Sequence, residues 1–258
     1  MSFTTIEVNA VGVRGTIVLN RPQKLNPLST ETLRELAGAA RWLDERPDVK
    51  VVVVSGSGRA FCSGADISVF AGAEEGVAAR REAADAGRLM AEAIESMRAI
   101  TVARIHGHCV GGGVVLAAAC DLRVAADTTR FAIPEVDLGI PLAWGGIPRL
   151  VREIGPAMTK ELVLTCRPFT AEEARALSFV NRVVAEQELE GAVEELVAQL
   201  VQKSSITLAA TKRGVNAASA EMASSSGAWS DADSLLTALS DPESRRAAQD
   251  YLERLTRR

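Results

Sequence analysis

Four consecutive valines, Val51-Val52-Val53-Val54, close a β-branched stretch over residues 49–54 and place the strongest constraint on the fold. Side chains alternate between the two sides of a strand, so an unbroken apolar run must be covered on both faces. Such a strand belongs inside a sheet with helices against either side. Other short strands surround it: residues 3–8 alternate, 13–19 form a second run, and 101–105, 121–125 and 130–133 follow. The gap at residues 9–12 reads as a hairpin turn. Ser29 is an N-cap for a helix that carries Leu33, Leu36, Ala40 and Leu43 on one face. Residues 74–98 repeat Leu89, Ala93, Ile94 and Met97 at helical spacing. From Gly146 onward almost every segment reads as helix: 147–154, 156–165, 171–177, 189–202, 205–222, 229–239 and 242–255. Strands alternating with helices, then helices alone, predict an α/β core followed by a helical extension. Ala223-Ser224-Ser225-Ser226-Gly227 reads as a joint before the last helices.

Composition narrows the function classes. The 258 residues are 47% hydrophobic, enough for one large domain or two small ones without a disulfide or metal staple. Lys and Arg number 29 against 33 Asp and Glu, a balance with no nucleic-acid footprint. The apolar runs are too short to span a bilayer, and the first residues carry no signal-peptide pattern. Cys62, Cys109, Cys120 and Cys166 fit no zinc template and read as reduced thiols of a cytoplasmic protein. His106 and His108 have a spacing that binds metal on a strand, but no third ligand is evident, so no metal is expected.

Two segments share the order strand, glycine turn, helix. One is Phe61-Cys62-Ser63-Gly64-Ala65-Asp66-Ile67. The other is His106-Gly107-His108-Cys109-Val110-Gly111-Gly112-Gly113, ahead of an Ala-rich helix over 114–120. Glycine lets the backbone approach a ligand, and a helix start offers unpaired N–H groups. Two such turns facing each other can hold one developing oxyanion. Each alone is equally well a tight turn with small residues for packing. The run from Gly111 to Leu116 lacks the later glycine of a dinucleotide fingerprint, and no Gly-Lys-Ser/Thr marks a phosphate loop. No Ser-His-Asp set stands out, and Gly113-Val114-Val115 offers no serine at the helix start.

The order of these segments resembles the crotonase (enoyl-CoA hydratase/isomerase) superfamily. The resemblance is carried by Asn20-Arg21-Pro22 with Asn26 and Leu28, the Phe61 to Ile67 turn, Gly107, Gly111-Gly112-Gly113 and Cys120-Asp121. Phe131, Pro134-Glu135, Leu138-Gly139-Ile140, Gly145-Gly146, Pro148-Arg149-Leu150, Thr170 to Ala174 and Val180 to Val184 continue it nearly to the end. The resemblance implies a spiral of ββα units over 1–200 and a helical trimerisation region over 201–258. It implies an acyl-CoA thioester as ligand, coenzyme A being part of the substrate with no separate cofactor. It implies a homotrimer or dimer of trimers, with no nucleic-acid or membrane partner. The oxyanion hole falls on the N–H groups of Ala65 and Gly112. The adenine end of the ligand falls on Ser63, Ala65 and Ile67, with Asp66 between them and Lys24 and Leu25 nearby.

The carboxylates depart from the family pattern. Hydratases of the family use two glutamates; one position is Val115 here, and the other is Glu135. Water addition needs a base for water and an acid for the α-carbon, which two carboxylates divide well. Shifting a double bond needs one carboxylate to take a proton from the α-carbon and return it at the γ-carbon. Glu135 suits that shuttle, and an apolar pocket should raise its pKa. Asp137 is read first as capping a turn or pairing with an arginine; only if the segment is extended does it share a side with Glu135 and supply a second acid. Trp144 either shapes the acyl pocket or serves as a large core or trimer-contact side chain. Isomerisation is the first expectation. Hydration by Glu135 with Asp137 or a bound water is the near alternative, and a non-catalytic acyl-CoA-binding protein is the alternative of another class.

Overall fold

A computed structural model describes residues 3–66 and 76–256. The chain begins with an antiparallel hairpin, β1 (Ile6–Val11) and β2 (Arg14–Leu19), in which Val11 pairs with Arg14. The connection is therefore the short Gly12-Val13 turn and not the longer gap expected at residues 9–12. Gly12 has a φ of 55, which suits such a turn. Helix α1 (Thr30–Asp44) follows, with Ser29 Oγ accepting from Thr32 N, and its Leu33, Leu36, Ala40 and Leu43 are buried as the spacing predicts. Strand β3 (Val51–Gly56) comes next. Helix α2 (Val77–Ser96), β4 (Ile100–Ile105), β5 (His108–Val110) and helix α3 (Gly112–Ala119) form the next turn of chain. The segment expected to be helical from residue 74 begins at Val77; residues 74 and 75 lie outside the described residues.

Strands β6 (Leu122–Ala126) and β7 (Arg130–Ala132) complete a third turn. Then come helix α4 (Gly146–Thr165), broken at Gly155, the two-residue β8 (Phe169–Thr170), α5 (Ala171–Ala176) and β9 (Arg182–Val184). The break at Gly155 divides α4 into the two helices that the pattern predicts. Helices α6 (Leu189–Val201), α7 (Ser205–Met222), α8 (Asp231–Ser240) and α9 (Pro242–Thr256) close the chain. Strands β5, β8 and β9 were not foreseen; at two or three residues each they carry no readable period.

The larger sheet runs β1-β2-β3-β4-β6-β9, parallel from β2 onward. The smaller runs β5-β7-β8, and an isolated bridge from Cys62 to Cys109 extends it by one more chain segment. Successive units thus place β3, β4 and β6 side by side in one sheet, and Cys62, β5 and β7 side by side in the other. The chain advances one neighbour per unit in both sheets, which makes a spiral of ββα turns. On one face of the large sheet Val51, Val53, Val102 and Val124 pack against Leu189, Val193 and Val197 of α6. On the other, Val52 and Val54 join the main core with α1, α2 and α3. The four-valine strand is covered on both faces, as its sequence requires. Among the described residues no helix is long and apolar enough to cross a membrane.

Asn26 fixes the start of this spiral. It is buried with a φ of 56, its Nδ2 donates to the carbonyls of Ser57 and Ala60 at 2.8 and 2.9 Å, and its Oδ1 accepts from Arg21 N at 2.9 Å. Asn26→Ala removes the partner of the buried Ala60 carbonyl, at about 1–3 kcal/mol when fully desolvated, and of two half-buried backbone groups besides. We expect the urea midpoint to fall by the equivalent of at least about 2 kcal/mol. An unchanged midpoint would show that the loop does not depend on this side chain.

Candidate active site

Glu135 stands on a turn in which Leu138 N donates to Pro134 O at 3.0 Å and Ile140 N to Glu135 O at 2.9 Å. Its carboxyl is buried, with Oε2 lacking a hydrogen-bond partner among the described residues. Oε1 lies against the backbone of Gly111: a Cβ there would come within 2.4 Å of it, and Gly111 has a φ of 50. Both the close approach and the left-handed backbone require glycine at that position. Burial drives the Glu135 carboxyl up from 4.5 to about 7, against a small opposite pull from its own amide N–H. Gly111 N donates to Ala132 O at 2.9 Å, so the end of β7 holds the start of α3 beside the Glu135 turn.

The two backbone donors expected from the sequence lie on the same cavity. Leu28 N donates to Gly64 O at 2.8 Å, and Asp66 N donates to Leu28 O at 2.9 Å. Leu28 thus bonds the residues on both sides of Ala65, so the Ala65 N–H points away from that strand. Gly112 opens α3, where an N–H has no intrahelical carbonyl to bond. Ala65, Gly112, Val115, Glu135, Leu142, Trp144 and Leu235 line one cavity of about 20 Å³. That is room for about one water molecule. Val115 is buried with Cγ2 against Gly146, whose added Cβ would come within 2.9 Å of it. The second carboxylate position is therefore a wall of this cavity.

Asp137 is not part of it. Residues 134–140 fold as a helical turn, not as an extended segment, so residues two apart face roughly opposite ways, about 200° around the axis. Asp137 is exposed and lines an outer opening with Cys166, Tyr251 and Arg254. The expectation that it could stand beside Glu135 as a second acid is corrected. On the far side of the first turn Ser63 N donates to Leu25 O at 2.9 Å and Ser63 Oγ to Lys24 O at 3.4 Å. Ser63, Lys24 and Leu25 are brought together, with Lys24 exposed. Asp66 pairs with Arg21 at 2.8 Å. Ile67 lies outside the described residues. His106 is buried and donates from Nε2 to Gly58 O at 2.9 Å, whereas His108 is exposed, so the two rings do not share a surface.

Trp144, expected either on the acyl pocket or as a core or trimer-contact side chain, has a φ of 62. Several supporting contacts were not singled out from the sequence. Arg149, almost fully buried, donates from Nη1 to Trp144 O at 3.3 Å and Gly145 O at 3.0 Å, and pairs with Glu95 at 2.5 Å. In the sequence it stands in the Pro148-Arg149-Leu150 segment that carries the family resemblance, with no role attached to it. Cys166 Sγ accepts from Asp137 N at 3.3 Å and so steadies the back of the Glu135 turn. Leu235 reaches the cavity from α8, which no local pattern connects to it.

Residues 11–258 match the enoyl-CoA hydratase/isomerase family. The chain belongs to this family. A probable enoyl-CoA hydratase of Mycobacterium tuberculosis is 37% identical over 219 residues, covering 84% of this chain and 83% of that protein. A peroxisomal Delta(3,5)-Delta(2,4)-dienoyl-CoA isomerase of Arabidopsis thaliana is 33% identical over 225 residues, 82% of this chain and 81% of its own. A crystal structure of an enoyl-CoA hydratase from Mycobacterium avium subsp. paratuberculosis has a TM-score of 0.88 at 26% identity, covering 96% of this chain and 99% of that one. The fold is crotonase-like and the protein is a crotonase-type enzyme. The reading as a non-catalytic binding protein is set aside.

The buried carboxyl of this enoyl-CoA hydratase/isomerase makes its stability depend on pH. Folded Glu135 keeps its proton up to about pH 7, whereas an unperturbed carboxyl releases it near 4.5. The folded state binds more protons between those values, so stability falls as pH rises through them. At about 1.4 kcal/mol per pH unit, the ionised carboxylate costs on the order of 3 kcal/mol. Glu135→Gln cannot ionise. We expect it to raise Tm over the parent clearly near pH 8 and much less near pH 5. Equal shifts at both pH values would contradict a buried, desolvated carboxylate.

Proposed function

We propose that this enzyme moves the double bond of an enoyl-CoA thioester, with Glu135 as the one acid and base. The observation that carries the reading is a single buried carboxyl with an unpartnered oxygen, in a cavity whose second carboxylate position is Val115. The thioester carbonyl accepts from the N–H groups of Ala65 and Gly112. Glu135 takes a proton from the α-carbon of a β,γ-enoyl ester, and the electron pair of that C–H bond moves toward the carbonyl oxygen. The two N–H groups hold the resulting dienolate. Protonated Glu135 then returns the proton at the γ-carbon, and the double bond settles between the α- and β-carbons. A carboxyl poised near 7 suits both halves, since it is neither fully charged nor fully protonated at neutral pH. The reaction is redox-neutral and consumes no water, so coenzyme A enters only as part of the substrate. Ser63, Lys24, Leu25, Asp66 and Ile67 are proposed on the coenzyme side, and Val115 and Trp144 on the acyl side.

Hydration remains a second reading, favoured by the names of the relatives, several of which are enoyl-CoA hydratases. It would require a bound water to replace the missing carboxylate, since Asp137 faces the other way. Exposed Val215 and Met222, seven residues apart on one face of α7, support the proposed trimer through residues 201–258.

Parallel assays with crotonyl-CoA and a β,γ-enoyl-CoA separate the two reactions. We expect the β,γ-ester to be converted and crotonyl-CoA to be hydrated poorly. For the isomerisation, kcat/KM should rise about tenfold per pH unit and level off near 7, and Glu135→Gln should lower it by roughly 10²–10⁴. Efficient hydration of crotonyl-CoA by the parent would overturn the isomerase reading.

A further inference from the structure

We propose that Trp144 sets the length of the acyl group and restricts this enzyme to short, butenoyl-sized chains. The proposal rests on the site reading above, in which the thioester carbonyl lies at Ala65 and Gly112. From there an acyl tail must run along the apolar wall made by Val115, Leu142, Trp144 and Leu235. Trp144 is the one that closes the path beside the donor itself. A Cβ on Gly112 would meet its indole Cζ3 at 2.4 Å. On the other side, a Cβ on Gly87 of α2 would meet indole atoms at 2.0 and 2.2 Å. The ring is wedged between two backbones that present no side chain to compress.

Its own backbone is pinned as well. Trp144 has a φ of 62, and the Arg149 guanidinium bonds the carbonyls of Trp144 and Gly145 while Glu95 anchors Arg149. Helix α8 covers the same turn: Gly145 N donates to Asp231 Oδ2 at 2.8 Å, and Asp233 pairs with Arg81 of α2 at 2.9 Å. Shifting this turn to carry the indole aside would disturb the bonds to the Trp144 and Gly145 backbone. The indole thus leaves no channel between α2 and the Gly112 turn through which a longer alkyl chain could run. Extra methylenes forced into a packed apolar site are strongly disfavoured.

Binding of saturated esters tests this without any chemistry. Titration calorimetry with butyryl-CoA and decanoyl-CoA is made on the parent, Trp144→Leu and Trp144→Phe, beside turnover of the matching β,γ-enoyl esters. We expect the parent to bind butyryl-CoA at least about tenfold more tightly than decanoyl-CoA. Trp144→Leu should narrow that ratio about tenfold or more, and Trp144→Phe should fall between. If Trp144→Leu does not fold, Trp144→Phe carries the comparison. Equal affinity of the parent for both esters, or an unchanged ratio in a cooperatively folded variant, overturns the proposal. A length preference without turnover overturns the isomerase reading and leaves the length limit standing. Turnover without a length preference does the reverse, and binding of neither ester overturns both.

Discussion

A carboxyl group held in an apolar wall with one oxygen unpartnered is costly, and the surrounding structure is arranged around that cost. Glu135 can occupy its position because Gly111 has no side chain where Oε1 lies. Gly111 is in turn fixed by the bond from its N–H to Ala132 O at the end of β7. Desolvation then brings the carboxyl to about 7, where it can both accept and give a proton near neutral pH. The feature that reduces stability is the same one that supports proton transfer.

The spiral explains how three distant segments meet. Cys62, β5 and β7 are neighbours in the smaller sheet, and each is followed closely by a contributor to the cavity. Ala65 follows Cys62, Gly112 opens the helix after β5, and Glu135 follows β7. Because each unit repeats the same path, the segments leaving these strands emerge side by side. Backbone donors come from two units and the carboxyl from the third. The last helices close the arrangement from outside, where Leu235 of α8 meets the residues around Trp144.

Much of this was legible in the residues. The valine run required a strand covered on both faces, Ser29 marked a helix start, and the two glycine turns pointed to exposed backbone donors. The one-glutamate pattern was also plain, and the structure adds the pocket around it. What failed did so for a physical reason. Asp137 seemed to share a side with Glu135 only on the assumption of extended backbone, and the turn bonds over residues 134–140 remove that assumption. Strands β5, β8 and β9 are too short to show a period and exist through their partners. Cys166 and Leu235 act through contacts across the fold, as does the Arg149 pair with Glu95, and such contacts leave no local pattern. Trp144 left two readings open, pocket wall and large core side chain, and it both lines the cavity and lies in the main core.

The central claim is that one carboxylate carries a single proton from the α- to the γ-carbon. It is tested most directly by following the atoms. A β,γ-enoyl-CoA deuterated at the α-carbon is turned over in ordinary water enriched in heavy oxygen, and the product is analysed by mass spectrometry and NMR. The account predicts an α,β-enoyl ester that carries deuterium at the γ-carbon and no heavy oxygen. A β-hydroxyacyl ester labelled with heavy oxygen as the main product would contradict it.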